Sequence, residues 1–230
     1  MEKNIPLYNY CLRLGDSALI LGHRLSEWCA HGPFLEEDIA LTNTSLDLVG
    51  RSRPLLTYAG EIKGDGETED DLAFKRDVMD FKNPLITELP NGDFGVTIVR
   101  QMLYDIYSYL LYSELLESKD ERLQSLAQKT IKEDKYHLRH SSEWVVRLGD
   151  GTEESHKRSQ KALDDLWMYT QDMFDMTEEE KQLAKDGIAA DLNKIKPRWE
   201  DMVDQVIERA KLKKPDQEWM QSGSQQGRHT

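Results

Sequence analysis

Asp134 and His137 are the residues whose types and spacing carry the most chemistry in this chain. Side chains three apart on a helix project side by side, and a carboxylate-x-x-His pair of this kind can ligate one edge of a two-metal centre inside a helical bundle. The pair falls in the run Leu123, Ala127, Thr130, Asp134, His137, Ser141, Trp144 and Leu148, whose alternating steps of four and three place them on one helical face. Most of that face is apolar or small, so Asp134 and His137 are expected to point into a core.

A full di-iron bundle draws a carboxylate from its first helix, carboxylate-x-x-His from its second, a carboxylate from its third and carboxylate-x-x-His from its fourth. Upstream of the pair, Ile98, Met102, Asp105, Tyr109, Tyr112 and Leu116 share a face and bring Asp105 inward as a third candidate. Near the N-terminus, Asp16, His23 and Glu27 form a polar stripe that offers a carboxylate. The second helix breaks the scheme: its inward face reads Ile39, Asn43, Leu46, Gly50 and Arg53, and its carboxylate Asp47 has Gly50 where a histidine should stand. The expectation is therefore no catalytic residue, no bound cofactor and no metal in this chain. Asp105, Asp134 and His137 remain as a remnant, held in a buried polar network with neighbouring tyrosines. One metal ion at those three residues is the alternative.

Other candidates read as structure. Glu153-x-x-His156 follows a Gly-Thr turn at a helix start and belongs on the surface, while Glu27 and His31 form a helix-end pair beside Gly32-Pro33. Neither a Ser/His/Asp order nor a paired-cysteine motif occurs, and Gly64-Asp65-Gly66 is a turn without the lysine of a phosphate loop. The two cysteines, Cys11 and Cys29, share one apolar helical stretch and are expected as buried small hydrophobes in a reducing compartment.

The elements that must position these residues are helical throughout. A first helix spans about Pro6 to Ala30 and stops at Gly32-Pro33, and a second runs from Glu36 to about Gly60. Turn signals crowd residues 61–95 around one short helical candidate, Asp70 to Met79, which makes this the long crossover. A third helix covers Val96 to Glu117 and a fourth Glu121 to Leu148. Beyond them lie a helix from Glu154 to Phe174, a short one opened by the capping box Thr177-x-x-Glu180, and a last one with Pro197 in its first turn reaching Lys211. The fold class is all-α, a four-helix bundle with a long crossover and additional C-terminal helices, and its plan resembles the ferritin-like one. Residues 1–214 are expected as a single domain and the polar stretch 215–230 as a poorly ordered tail, or one that orders against a partner.

The net charge of −13 argues against a nucleic-acid surface, with Lys211-Leu212-Lys213-Lys214 the one short basic cluster and a helix end by its position. The start, Met1-Glu2-Lys3-Asn4, lacks the features of a signal peptide, and no apolar run is long enough to span a bilayer. A cytoplasmic protein without membrane contact is expected. Trp28, Trp144, Trp167 and Trp199 are read as core, and Tyr104, Tyr107, Tyr109 and Tyr112 surround their helix, so some must face another helix or a partner.

Several irregular strings carry a family resemblance: Leu12-Arg13-Leu14-Gly15-Asp16, the run from Arg24 to Pro33, Asp38 to Asn43, Leu46 to Arg51, Asp71 to Phe74, Pro90-Asn91-Gly92, Ile131-Lys132-Glu133 with Tyr136-His137-Leu138-Arg139, and Arg147 to Thr152. In this order they resemble the C-subunit family of phenylacetyl-CoA epoxidases over nearly the whole chain. The resemblance implies a ferritin-like, non-catalytic subunit that pairs with and supports a catalytic A subunit. That A subunit would hold the di-iron centre and bind the coenzyme A substrate, and a separate reductase at a distance would supply electrons from NADPH. It implies a complex that inserts one oxygen atom into the aromatic ring of phenylacetyl-CoA. A homodimer of the chain when alone is a further expectation. Two other readings stand beside it: an autonomous di-iron oxidase of the same bundle class, and a helical binding module unrelated to oxygenation.

Overall fold

A computed structural model describes residues 4–230, and it is all-α: eight α-helices and four short 3-10 turns, with no strand among the described residues. Met1–Lys3, most of the N-terminal run considered above, lie outside the described residues. The chain divides into two compact units, one of residues 1–90, 177–183 and 222–230, the other of residues 91–176 and 184–221.

The first unit is built on a helical hairpin, α1 (Ile5–Ser26) and α2 (Leu35–Lys63). Asn4 caps α1 by accepting from the Leu7 N–H, and Glu36, Glu37 and Asp38 place negative charge at the positive end of α2. Two glycines on α1 let the helices approach closely: a Cβ on Gly15 would lie 2.7 Å from Leu56 Cδ2, and one on Gly22 would lie 2.9 Å from Val49 Cγ2. Ser45 uses the space to donate to the Gly22 carbonyl at 2.7 Å.

Helix α1 ends four residues before the expected Ala30. Residues 27–31 turn instead, Ala30 takes φ 65°, and the Gly32 N–H is capped by Asp38 at 2.9 Å. The Gly32 and neighbouring N–H groups hold the Asp38 carboxyl below the usual carboxylate range. Cys29 consequently sits exposed in that turn while Cys11 is buried, so the expectation of two buried cysteines holds for Cys11 alone. In the connection, α3 (Glu69–Phe74) is opened by a reciprocal capping box of Thr68 and Asp71, and 3-10 turns follow at Val78–Asp80 and Leu85–Thr87. The expected helix to Met79 is thus two shorter pieces.

The face of α2 is the reverse of the one read from its sequence. Ile39, Leu46, Gly50 and Arg53 are exposed, and the buried face is Glu37, Ala40, Leu41, Thr44, Ser45, Leu48, Arg51, Ser52, Leu55 and Leu56. The reason is that small hydroxyls count as polar in a periodicity reading yet bury at low cost once bonded to a backbone carbonyl. Thr44 bonds the Ala40 carbonyl at 3.1 Å in this way.

The second unit centres on α4 (Phe94–Leu115), 17 of whose 22 residues are buried, as a helix covered on all sides requires. It packs against α5 (Glu121–Gly149), α6 (Glu153–Trp167) and α8 (Leu192–Arg209). The short α7 (Glu178–Lys185), whose residues up to Leu183 belong to the first unit, opens with the expected Thr177/Glu180 reciprocal bonds, both 3.1 Å. Helix α8 starts five residues before Pro197, which stands in the helix body and not in its first turn; Asp191 is the cap. Helix α6 stops at Trp167, and residues 171–174 form a 3-10 turn.

Aromatic packing explains the tyrosines of α4. Tyr107 stacks edge-on to Phe174 at 5.5 Å, Phe174 to Trp199 at 5.3 Å, and Trp199 lies 5.9 Å from Trp167. Trp199 also donates its indole N–H to the Leu103 carbonyl at 2.8 Å. Of the four tryptophans read as core, Trp167 and Trp199 are buried, while Trp28 and Trp144 are half-buried.

Candidate functional site

The candidate site residues of the second unit come from two helices. On α5 the buried face is Leu123, Ala127, Thr130, Asp134, His137 and Ser141, as the spacing required, and it then drifts to Ser142, Val145 and Gly149, leaving Trp144 and Leu148 half-buried. A strict seven-residue pattern drifts by about 20° per heptad against a straight helix, which accounts for the late departure. Asp134 and His137 are 1% and 2% exposed, and Asp105 on α4 is 5% exposed. Such carboxylates persist in a core only with hydrogen-bond donors around them.

Serine hydroxyls are among those donors. Ser108 donates to Asp134 Oδ2 at 3.1 Å, and Ser141 donates to Asp105 Oδ2 at 2.7 Å; Gln101 Nε2 lies 3.5 Å from the other Asp105 oxygen. Both serines sit one helical turn from a candidate ligand, Ser108 three residues after Asp105 and Ser141 four after His137. The sequence reading passed over them, although an i, i+3 or i+4 hydroxyl beside a buried acid is a recognisable signal.

In the first unit Asp16 is fully buried and meets Arg76 in a two-armed ion pair, with Nη1 to Oδ2 at 2.9 Å and Nη2 to Oδ1, and the Lys82 N–H donates to Oδ2 at 2.9 Å. Burial pushes the Asp16 carboxyl up, against the guanidinium and the N–H that favour its charged form. His23 and Glu27, expected on the same stripe, are exposed. Glu27 pairs with Arg24 at 3.0 Å, and His31 bonds the Cys29 carbonyl at 2.9 Å and not Glu27. At the start of α6, Glu153 pairs with Lys157 at 2.6 Å on the surface and His156 Nδ1 lies 2.6 Å from the Gly149 carbonyl.

The donors present do not fit a two-metal centre. No histidine occurs between Leu35 and Lys63, and the buried polar side chains of α2 are Glu37, Thr44, Ser45, Arg51 and Ser52, a set with one carboxylate and one cation. Among the described residues, no three His, Cys, Asp or Glu side chains gather closely enough to hold a metal ion, so Asp105, Asp134 and His137 are not brought into a three-ligand group. No helix of the described residues is long and apolar enough to cross a membrane.

Helical hairpins joined by a long connection, with acids and a histidine buried on one of them, define a ferritin-like all-α protein. Within that class the chain belongs to the phenylacetic acid catabolic protein family, whose sequence model matches residues 1–230. It is 44% identical over 221 residues to the C subunit of the 1,2-phenylacetyl-CoA epoxidase of Escherichia coli (strain K12), a match covering 96% of this chain and 89% of that relative.

Proposed function

We propose that this chain is a structural, non-catalytic subunit of a multicomponent phenylacetyl-CoA epoxidase, pairing with the di-iron catalytic subunit in aerobic phenylacetate breakdown in the cytoplasm. The observation that carries the proposal is near-full-length similarity to a relative named as the C subunit of such an enzyme. The donor chemistry supports it. Dioxygen activation at two metals needs open positions on a ligand set shared by four helices, and here α2 has no histidine while the carboxylates of α4 and α5 accept from serines. Asp105, Asp134 and His137 then act as a buried polar network that fixes how α4 and α5 meet. Site residues for catalysis or cofactor binding are assigned to the partner and none to this chain.

The test is metal content with oxygen consumption. Purified alone, the chain is expected to carry no stoichiometric iron and consume no oxygen with reductant and substrate; together with the catalytic subunit it is expected to form a stable complex on size-exclusion chromatography. Two irons per chain with oxygen uptake abolished by His137→Ala would make it an oxidase in its own right, and failure to associate would leave a binding module of another kind.

A further inference from the structure

The second unit carries a cleft apart from its buried acids, about 420 Å³ in volume and lined by three of its helices. Ile106 and Tyr109 come from α4, while Met202, Val206 and Arg209 stand three or four residues apart on α8. Lys135, Leu138, Arg139, Ser142 and Glu143 share one face of α5, a different face from that of Asp134, His137 and Ser141. Ile106 and Val206 are buried, and Tyr109, Leu138 and Met202 are half-buried, so the body of the cleft is apolar. Its size falls in the range of sites that take small organic molecules.

The charged side chains of the cleft run against the rest of the molecule. Lys135, Arg139 and Arg209 set three cations around Glu143, the single carboxylate of the lining, on a chain of net charge −13. Glu143 is already served: Arg209 donates to it at 2.8 Å, and that bond, with the charges of Arg209, Arg147 and Arg139, holds its carboxyl below the usual carboxylate range. Among the described residues, the side chains of Lys135 and Arg139 make no hydrogen bond or ion pair. Ser142 is an independent observation. It is 8% exposed, and its hydroxyl is buried without a hydrogen-bond partner, not even the carbonyl one turn back that a helical serine commonly uses. A buried hydroxyl left unpaired is destabilising, and an acceptor bound in the cleft would be the partner that the chain itself does not supply.

We propose that this cleft binds a small organic monocarboxylate, its apolar body against Ile106, Leu138, Met202 and Val206 and its carboxylate held by Lys135 and Arg139 with Ser142 donating. Cations without partners select an anion, and the planar guanidinium fork suits a carboxylate. An anion is drawn to such a local positive excess even on an acidic protein, because the field of a cleft is set by its own lining. The apolar body selects against a bare inorganic anion, and the flexible Met202 side chain adapts to a ligand of irregular shape. The cleft is a feature of this chain alone and does not depend on its being an epoxidase subunit.

Calorimetric titration of the full chain tests the cleft with three probes: octanoate, 1-octanol with the same body and no charge, and acetate with the charge and almost no body. Expected is one saturable octanoate site, at least about tenfold tighter than for either other probe and weakened by salt. Arg139→Gln and Lys135→Gln together should weaken octanoate by about tenfold or more, and Glu143→Gln should tighten it. Lys132→Gln, at an exposed lysine of α5 outside the cleft, should change nothing. All four positions are exposed, so the urea midpoints should match that of the unmodified chain. Ser142→Ala should weaken binding without lowering the urea midpoint, which loss of a merely structural hydroxyl would not do. Octanol binding as tightly as octanoate, or octanoate indifferent to the Arg139 and Lys135 changes, overturns the proposal. So does a cleft that takes no octanoate while the double variant loses the cognate catalytic subunit, a result that assigns the cations to an acidic side chain of that partner.

Discussion

A buried ion pair settles the fate of Asp16, and its energetics are one-sided. Two charges in a core gain little over apolar residues of similar volume, yet removing one of them strands the other at a cost of about 3–5 kcal/mol. Arg76 side-chain exposure is 11% and that of Asp16 is 0%, so Arg76→Ala is expected to destabilise the protein by about 3–5 kcal/mol at pH 7, read from the urea midpoint at constant slope. The pH dependence has a definite sign. Burial already raises the folded-state Asp16 pKa above its unfolded value, and without the guanidinium the Lys82 N–H and the Lys82 charge are left to oppose that shift. The folded state then binds the proton more tightly than the unfolded one, so the deficit of the variant is full above the raised folded pKa and shrinks as pH falls through it. A deficit that stayed constant as pH fell to the ordinary carboxylate range would count against this account. At the scale of single residues the sequence was a partial guide. Burial of Asp134, His137 and Asp105 followed from spacing, because those residues stand at fixed helical intervals on faces made of apolar or small side chains. The Asp16–Arg76 partnership did not, since the residues are 60 apart and joined only by the path of an irregular connection.

Helices were legible where apolar residues are large and their ends bear strong caps. Asp93 and Asp120 cap α4 and α5 as their positions suggest, and both helices lie within two residues of the expected bounds. Helix α2 was legible as a helix and misread as a face, because Thr44, Ser45 and Ser52 bury while Ile39 and Leu46 do not. The polar tail was misread for a similar reason. Residues 222–230 fold back onto the first unit, where Glu88 receives the Thr230 N–H at 2.6 Å and pairs with His229 at 2.7 Å; composition registers local propensity and not such anchors. Close packing between elements can be tested with one methyl group. A Cβ at Gly149, the last residue of α5, would stand 2.4 Å from the Ala210 carbonyl oxygen and 2.8 Å from its Cβ, both just past the end of α8. Backbone cannot yield there as a flexible side chain would, so Gly149→Ala is expected to cost about 1–3 kcal/mol, whereas Gly50→Ala, with open space around it, should gain up to about 1 kcal/mol. Thermal unfolding of the two variants checks the pair, and equal shifts would contradict the close contact at Ala210.

For the whole molecule, what matters is that its buried acids link one helix or segment to another. Ser108 of α4 donates to Asp134 of α5, Ser141 of α5 donates to Asp105 of α4, and Arg76 pairs with both oxygens of Asp16. A ferritin-like architecture with its polar interior used in this way still offers an outside, and a subunit whose role is association should reveal it in linked stability. A partner that binds only the folded chain stabilises it by RT ln(1 + [L]/Kd), about 2.7 kcal/mol when the partner is present at a hundred times Kd. Titrating the catalytic partner into this chain is therefore expected to raise the unfolding temperature of this chain steadily, with no plateau at equimolar ratio, and to do so without iron, since nothing in the association calls on a metal held here. Hydrogen exchange localises the effect: the amides whose protection grows on adding the partner mark the face it covers. An unfolding temperature indifferent to saturating partner would mean that the folded and unfolded chains bind it equally, which is incompatible with a structural subunit.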